Sequence, residues 1–163
     1  MRTMKKEVVI VRFLPFFIGC AIISYASSMP ASDQSLIPLL ERLLPNEAGA
    51  SFVRWMRIPY WDTVVSVEER GFYPFVEFLI RKGTHVMTFG LLALTARYAT
   101  RHTGWALALT IGAACIDEWH QSFVPGRTGS VEDVAVDTFG ALLALGAYTF
   151  LPRNRKRTND DSS

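Results

Sequence analysis

Cysteine and histidine are scarce in this chain, with two of the former and three of the latter among 163 residues. That excludes a disulfide scaffold and a cysteine-rich metal module. Cys20 and Cys115 both sit inside apolar runs without ligand spacing, and they read as small apolar side chains. A formal net charge of only +2 leaves no broad basic field for a nucleic acid partner. No H-E-x-x-H motif occurs, and Ser122 and Ser130 lack the G-x-S-x-G surroundings of a hydrolase nucleophile. The expectation is one domain, with no cofactor and no resident metal.

What the chain has in quantity is apolar runs, since half of its residues are hydrophobic. The first runs from about residue 8 to 29 and suits the roughly 20 residues needed to cross a bilayer. A cleaved signal peptide competes, with Met1 to Glu7 as its basic segment and Ser24-Tyr25-Ala26 as its cleavage site. The run is long for a signal peptide, so a retained helix is favoured. Further spans are expected at about 82–98, 104–120 and 134–151. The two middle ones have short apolar centres and, taken alone, also suit buried helices of a soluble protein. The intervening 30–81 is mixed in character. Within it, Leu36, Ile37, Leu39, Leu40, Leu43 and Leu44 beside Glu41 and Arg42 suggest a short amphipathic helix or a partly buried loop. Phe52, Trp55, Met56, Tyr60 and Trp61 offer interfacial contacts.

Lysine and arginine give the orientation. Arg2, Lys5 and Lys6 precede the first span; Arg97 and Arg101 link the second and third; Arg153, Arg155, Lys156 and Arg157 follow the fourth. Four spans put these segments on one side, and the positive-inside rule makes it cytoplasmic. The expected fold is therefore an all-α, multi-pass protein of the bacterial inner membrane, with both termini cytoplasmic. Residues 1–152 would form the membrane domain, 30–81 would lie outside, and 153–163 would be a disordered tail, basic then acidic.

Polar residues interrupt the apolar pattern at one end of these spans. Lys82 and His85 share a face of the second; Asp117, Glu118, His120 and Gln121 end the third. Arg127 follows the Pro125-Gly126 turn, and Asp133 and Asp137 stack on one face of the fourth. By the topology above, all lie near the outer surface. Ionisable groups there are costly unless paired or facing water, so they suggest a site. An equally good reading is structural, with Lys82 or Arg127 pairing Asp133 or Glu118 to lock helices together. A metal site built from His85, Glu118, His120 and Asp137 is conceivable but lacks a ligand-spaced motif. Gly140 and Gly146 read as points of close helix approach.

These residues resemble the VanZ-like family, whose namesake is linked to low-level teicoplanin resistance. The resemblance rests on Ser27-Ser28-Met29-Pro30, on Arg81, Lys82 and His85, and on Asp117, Glu118, Gln121, Pro125, Gly126 and Arg127. Asp133 and Gly140 complete it. It covers residues 27 to about 145. Asp137 stands where the family usually has Asn, Val86 where an aromatic is common, and Phe89 where Tyr is frequent. The resemblance implies a four-helix membrane protein without a settled activity.

Two functions follow as expectations. One is a non-enzymatic envelope protein in which Lys82, His85, Glu118, Gln121, Arg127, Asp133 and Asp137 bind an outer-leaflet lipid, a cell-wall precursor or a glycopeptide. The other is a membrane enzyme on a lipid-linked or cell-wall substrate, with His85 or Glu118 as general base or acid. Transport is disfavoured, because one polar cluster leaves no path across the membrane and no inverted repeat is visible.

Overall fold

The computed structural model describes residues 2–60 and 63–150, the first eight of them as backbone only. The expected tail over 153–163, Trp61, and the side chains of Arg2, Lys5 and Lys6 lie outside the described residues.

Four long helices dominate: α1 (Arg2–Ser27), α5 (Phe72–Thr100), α6 (Thr103–Gln121) and α7 (Val131–Phe150). Between α1 and α5 come α2 (Ile37–Leu43), α3 (Ala50–Val53), the strands β1 (Arg57–Tyr60) and β2 (Thr63–Ser66), and α4 (Val67–Arg70). The all-α expectation is thus corrected by an antiparallel hairpin pairing Arg57 with Ser66 and Tyr60 with Thr63. The cause is local. Val64 and Val65 are stiff at χ1 and favour extended backbone.

The expected short helix over 35–44 is present as α2, of which only Leu40 is buried. α5 begins at Phe72, ten residues before the second span expected from 82. Phe72 and Phe75 extend the helix backward because they pack with Val65 and Val67 in a small core of their own. α7 starts three residues earlier than expected because Ser130 caps it, its Oγ accepting from the Asp133 backbone N–H at 2.9 Å.

α5 and α6 form the middle of the bundle. α1 packs on both from one side, and α7 packs on both from the other. The closest approach is between α5 and α7. A Cβ added at Gly140 would strike the backbone of Val86, and one at Gly90 would lie 3.2 Å from the Gly140 carbonyl oxygen. Gly140 therefore does what the sequence suggests. Gly146 does not, since a Cβ there meets nothing within 4 Å.

An apolar core around Phe89, Leu92 and Ala93 is joined by buried carboxylates, while much apolar surface is left outside. Asp137 is fully buried, with Asp117, Glu118 and Gln121 nearly so. Meanwhile Ile10, Leu14, Phe17 and Ile22 on α1, Met87 and Leu91 on α5, Ile116 on α6 and Leu142 and Leu143 on α7 are each more than half exposed. Soluble monomers rarely expose such an apolar surface. Two helices, Ile10–Ser27 within α1 and the whole of α7, are long and apolar enough to cross a membrane unaided. α5 carries Thr84, His85, Thr88, Thr95 and Arg97, and α6 ends on Asp117 and Glu118, so both are more polar.

Candidate site at one end of the bundle

The C-terminal ends of α1 and α6, the N-terminal half of α5 and the start of α7 all meet at one end of the bundle, under the segment that joins α1 to α5. Helix direction alone brings Ser27, Lys82, His85, Asp117, Glu118, Gln121, Asp133 and Asp137 to one region. The Lys82/His85 spacing on α5 then meets the Asp133/Asp137 spacing on α7. Lys82 pairs with Asp133, and His85 Nδ1 lies 3.0 Å from Asp137 Oδ1.

Asp133 has a second partner, the Tyr60 hydroxyl, which donates to the same oxygen as Lys82. The Lys82 ammonium sits 4.7 Å from the Tyr60 ring centroid and 5.5 Å from that of Phe78, a cation–π arrangement closing over the ion pair. Burial, followed by the hydrogen bond to Asp133, raises the Tyr60 phenol above its ordinary value. Its stabilising contribution is complete below the unfolded phenol's value near 10 and is lost as pH rises through the folded one. Melting curves at neutral pH and above pH ~10 should therefore show an alkaline loss of stability that Tyr60→Phe reduces. Equal alkaline losses in the two proteins would contradict the role given to this hydroxyl.

A second network joins α1 to α6. Gln121 Nε2 donates to Asp117 Oδ2 at 2.7 Å and to Ser27 Oγ at 3.1 Å, and Ser27 Oγ donates to Asp117 at 3.0 Å. Gln121 thus pairs with Asp117, one turn back along α6. Glu118 Oε2 accepts the Ser130 backbone N–H at 2.9 Å, tying the end of α6 to the start of α7. A Cβ at Gly129 would strike the Glu118 carbonyl, so this connection runs hard against α6. The preceding turn has Pro125 followed by Gly126 at φ 74°, with Arg127 N–H donating to the Val124 carbonyl at 3.1 Å. Proline at the second and a positive φ at the third position make it a type II turn, which glycine favours.

Arg127, aimed by this turn, donates to the side-chain oxygen of Gln34. Arg81 donates to the Gln34 backbone oxygen at 3.1 Å and to Glu77 Oε1 at 2.9 Å. Two guanidiniums thus converge on one residue, and of the two Arg81 alone makes an ion pair among the described residues. Burial, then the positive charge of Arg81, pushes the Arg127 guanidinium below its ordinary value, and its buried Nε has no partner. Both arginines, with Lys82, Arg70 and His85, line a cavity of about 800 Å³ whose wall also includes Ile22, Ile23 and Phe89. Asp117 and Asp133 also contribute, so cationic, anionic and apolar groups share the lining.

Of the residues singled out from sequence, Lys82, His85, Glu118, Gln121, Arg127, Asp133 and Asp137 all reach this end of the bundle. One ligand atom each from His85, Glu118 and Asp137 lie within 4.8 Å of one another, and His120 is not among them. Sequence reasoning gave no role to Gln34 and placed Tyr60 only as an interfacial aromatic. The polar segment over 30–81 offers no periodic signal that would separate either from an ordinary loop residue.

A family model described as VanZ/LLP1 matches residues 9–152. No match was found among curated proteins or among solved structures. The family match takes in every residue of the site, from Ser27 to Asp137, and the helices that carry them: the chain belongs to the VanZ/LLP1 family.

Proposed function

We propose that this protein is a multi-pass membrane protein of the bacterial inner membrane whose outward cavity binds the phosphate-bearing headgroup of an outer-leaflet lipid or lipid-linked cell-wall precursor. All four long helices span, both termini face the cytoplasm, and residues 30–81 cover the outer end. Arg97 and Arg101 at the far end of α5 support this orientation. So do the exposed aromatics Phe52 and Trp55 in the joining segment and Trp119 and Phe123 at the end of α6, which suit the membrane interface.

The observation that carries the binding reading is the convergence of Arg81 and Arg127 on Gln34, with no ion pair for Arg127 among the described residues. Two like charges held together in a partly buried cavity favour an anion between them, and guanidinium forks match phosphate oxygens. The apolar wall from α1 then accommodates the start of an acyl or prenyl chain. Occupying such precursors at the outer leaflet would reduce glycopeptide access, which gives a contribution to teicoplanin tolerance its physical route.

Purified protein in detergent should be stabilised by a polyprenyl phosphate and not by a neutral lipid of equal chain length. Because hydrogen bonds to charged groups contribute about 1.5–3 kcal/mol, Arg127→Gln should weaken binding by about ten- to a hundredfold. Equal binding of the neutral lipid, or unchanged affinity in Arg127→Gln, would remove the proposal. In cells, a deletion strain should become more susceptible to teicoplanin and regain tolerance with the wild-type gene but not with Arg127→Gln at equal membrane levels.

A second reading, an enzyme on the same class of substrate, is favoured by one contact. Asp137 holds His85 at 3.0 Å while the imidazole borders the cavity, an arrangement suited to a general base. Lipid extracts from cells with wild-type and His85→Ala protein, compared by mass spectrometry, decide it: identical profiles eliminate the enzyme.

A further inference from the structure

Among the buried carboxylates the ion pairs described above leave three over, of which Asp117 is held by the Ser27 hydroxyl and the Gln121 amide. Lys82 is matched by Asp133, and Arg81 by Glu77. Glu118 and Asp137 have no lysine or arginine partner among the described residues, although they are 4% and 0% exposed. Each also keeps one buried oxygen without a hydrogen bond, Oε1 of Glu118 and Oδ2 of Asp137. Among the described residues His85 alone is paired with either, at Asp137 Oδ1, so a cation from outside would offset two buried carboxylates that lack lysine and arginine partners. Beside them stands His85, and one donor atom from each of the three residues lies within 4.8 Å of the other two.

We infer that His85, Glu118 and Asp137 form a binding site for one divalent transition-metal ion of the zinc or manganese class. An imidazole nitrogen with two carboxylate oxygens is a donor set such ions accept. Bonds of about 2.0–2.2 Å to zinc place neighbouring ligands roughly 3–4 Å apart, so the observed spread closes with small side-chain adjustments. A +2 ion neutralises the two carboxylates and supplies the partner that Glu118 Oε1 and Asp137 Oδ2 lack. The supports of a metal site are already present. The Ser130 backbone N–H fixes Glu118 from behind at 2.9 Å, and Gly129 pressed on the Glu118 carbonyl holds that connection in place. Access is through the cavity, where His85 forms part of the wall. Lys82, one turn from His85 on α5, is already engaged by Asp133, which also accepts from Tyr60. Sequence reasoning expected no metal because the three ligands come from three helices and share no local motif.

The test uses full-length protein purified in detergent without chelator, dialysed separately against zinc and manganese salts, with bound metal measured by mass spectrometry. Wild-type protein should retain about one ion per chain and lose it to EDTA with a fall in melting temperature. Asp137→Asn and His85→Ala should each weaken metal binding by more than the roughly 10–100-fold that changes behind a ligand produce. Arg127→Gln, which removes a headgroup contact but no ligand, should keep the metal, so loss of anion binding and loss of metal are separable. The inference fails if wild-type protein retains neither ion and its melting temperature ignores both. It fails equally if His85→Ala and Asp137→Asn bind metal as tightly as wild type.

Discussion

Gly140→Val should destabilise the protein by about 3 kcal/mol or more and sharply reduce its accumulation in the membrane. At this position the α7 backbone rests directly on α5: a Cβ would lie 2.8 Å from Val86 Cα, and closer still to the Val86 carbonyl oxygen. Relief requires the helices to separate, because backbone on one side faces backbone on the other. Separation would also pull His85 from Asp137 and Lys82 from Asp133, the contacts that join the same two helices. Gly146, two turns further along α7, gives the contrast. Nothing lies within 4 Å of a Cβ there, so Gly146→Ala should be neutral or stabilising by up to about 1 kcal/mol, the ordinary helix preference for alanine. Chemical unfolding of the two variants in the same detergent reads the difference. Equal stabilities would contradict the helix contact described here.

Lys82→Met should destabilise by about 3 kcal/mol, and adding Asp133→Leu should recover most of the loss. The reason is an asymmetry between breaking a pair and removing it. Lys82 and Asp133 have side chains 22% and 13% exposed, so a carboxylate left without its ammonium stays largely dehydrated. The Tyr60 hydroxyl still donates to it but carries no charge. Replacing both partners with apolar side chains removes the stranded charge along with the attraction. A double variant no more stable than Lys82→Met would show that the pair is hydrated after all.

The bundle was legible in the sequence where hydropathy and helix boundaries coincide. α6 begins and ends within one residue of the expected 104–120, because Arg101 in a left-handed conformation and the His102 cap mark its start. The backward extension of α5 was not legible. Arg81 and Lys82 end the apolar run, while Phe72 and Phe75 make helix through tertiary contact with the hairpin that hydropathy does not report. In the site, the i, i+3 spacing of Lys82 and His85 and the i, i+4 spacing of Asp133 and Asp137 foretold a shared region, and the structure turns that into two specific pairs. Partners remote in sequence were not foretold. Gln34 reaches Arg127 across 93 positions, and Tyr60 reaches Asp133 across 73, through a segment whose path depends on its own small core.

That segment shapes the chemistry. Gln34 and Tyr60 both come from it, and each holds a charged group of the bundle while leaving the cavity open between them. A lipid headgroup entering the cavity would meet Arg81, Lys82 and Arg127 in a lining that also holds Asp117, Asp133 and apolar residues of α1.

Headgroup binding requires that this end of the bundle face outward. Single-cysteine proteins test it, with Cys20 and Cys115 changed to alanine and cysteine placed either at exposed Thr128 beside the cavity or at exposed His102 at the far end. A membrane-impermeant maleimide added to intact cells should label Thr128→Cys at once and His102→Cys only after the cells are opened. Labelling of His102→Cys in intact cells, with Thr128→Cys protected until lysis, would turn the cavity toward the cytoplasm and contradict a role at the outer leaflet.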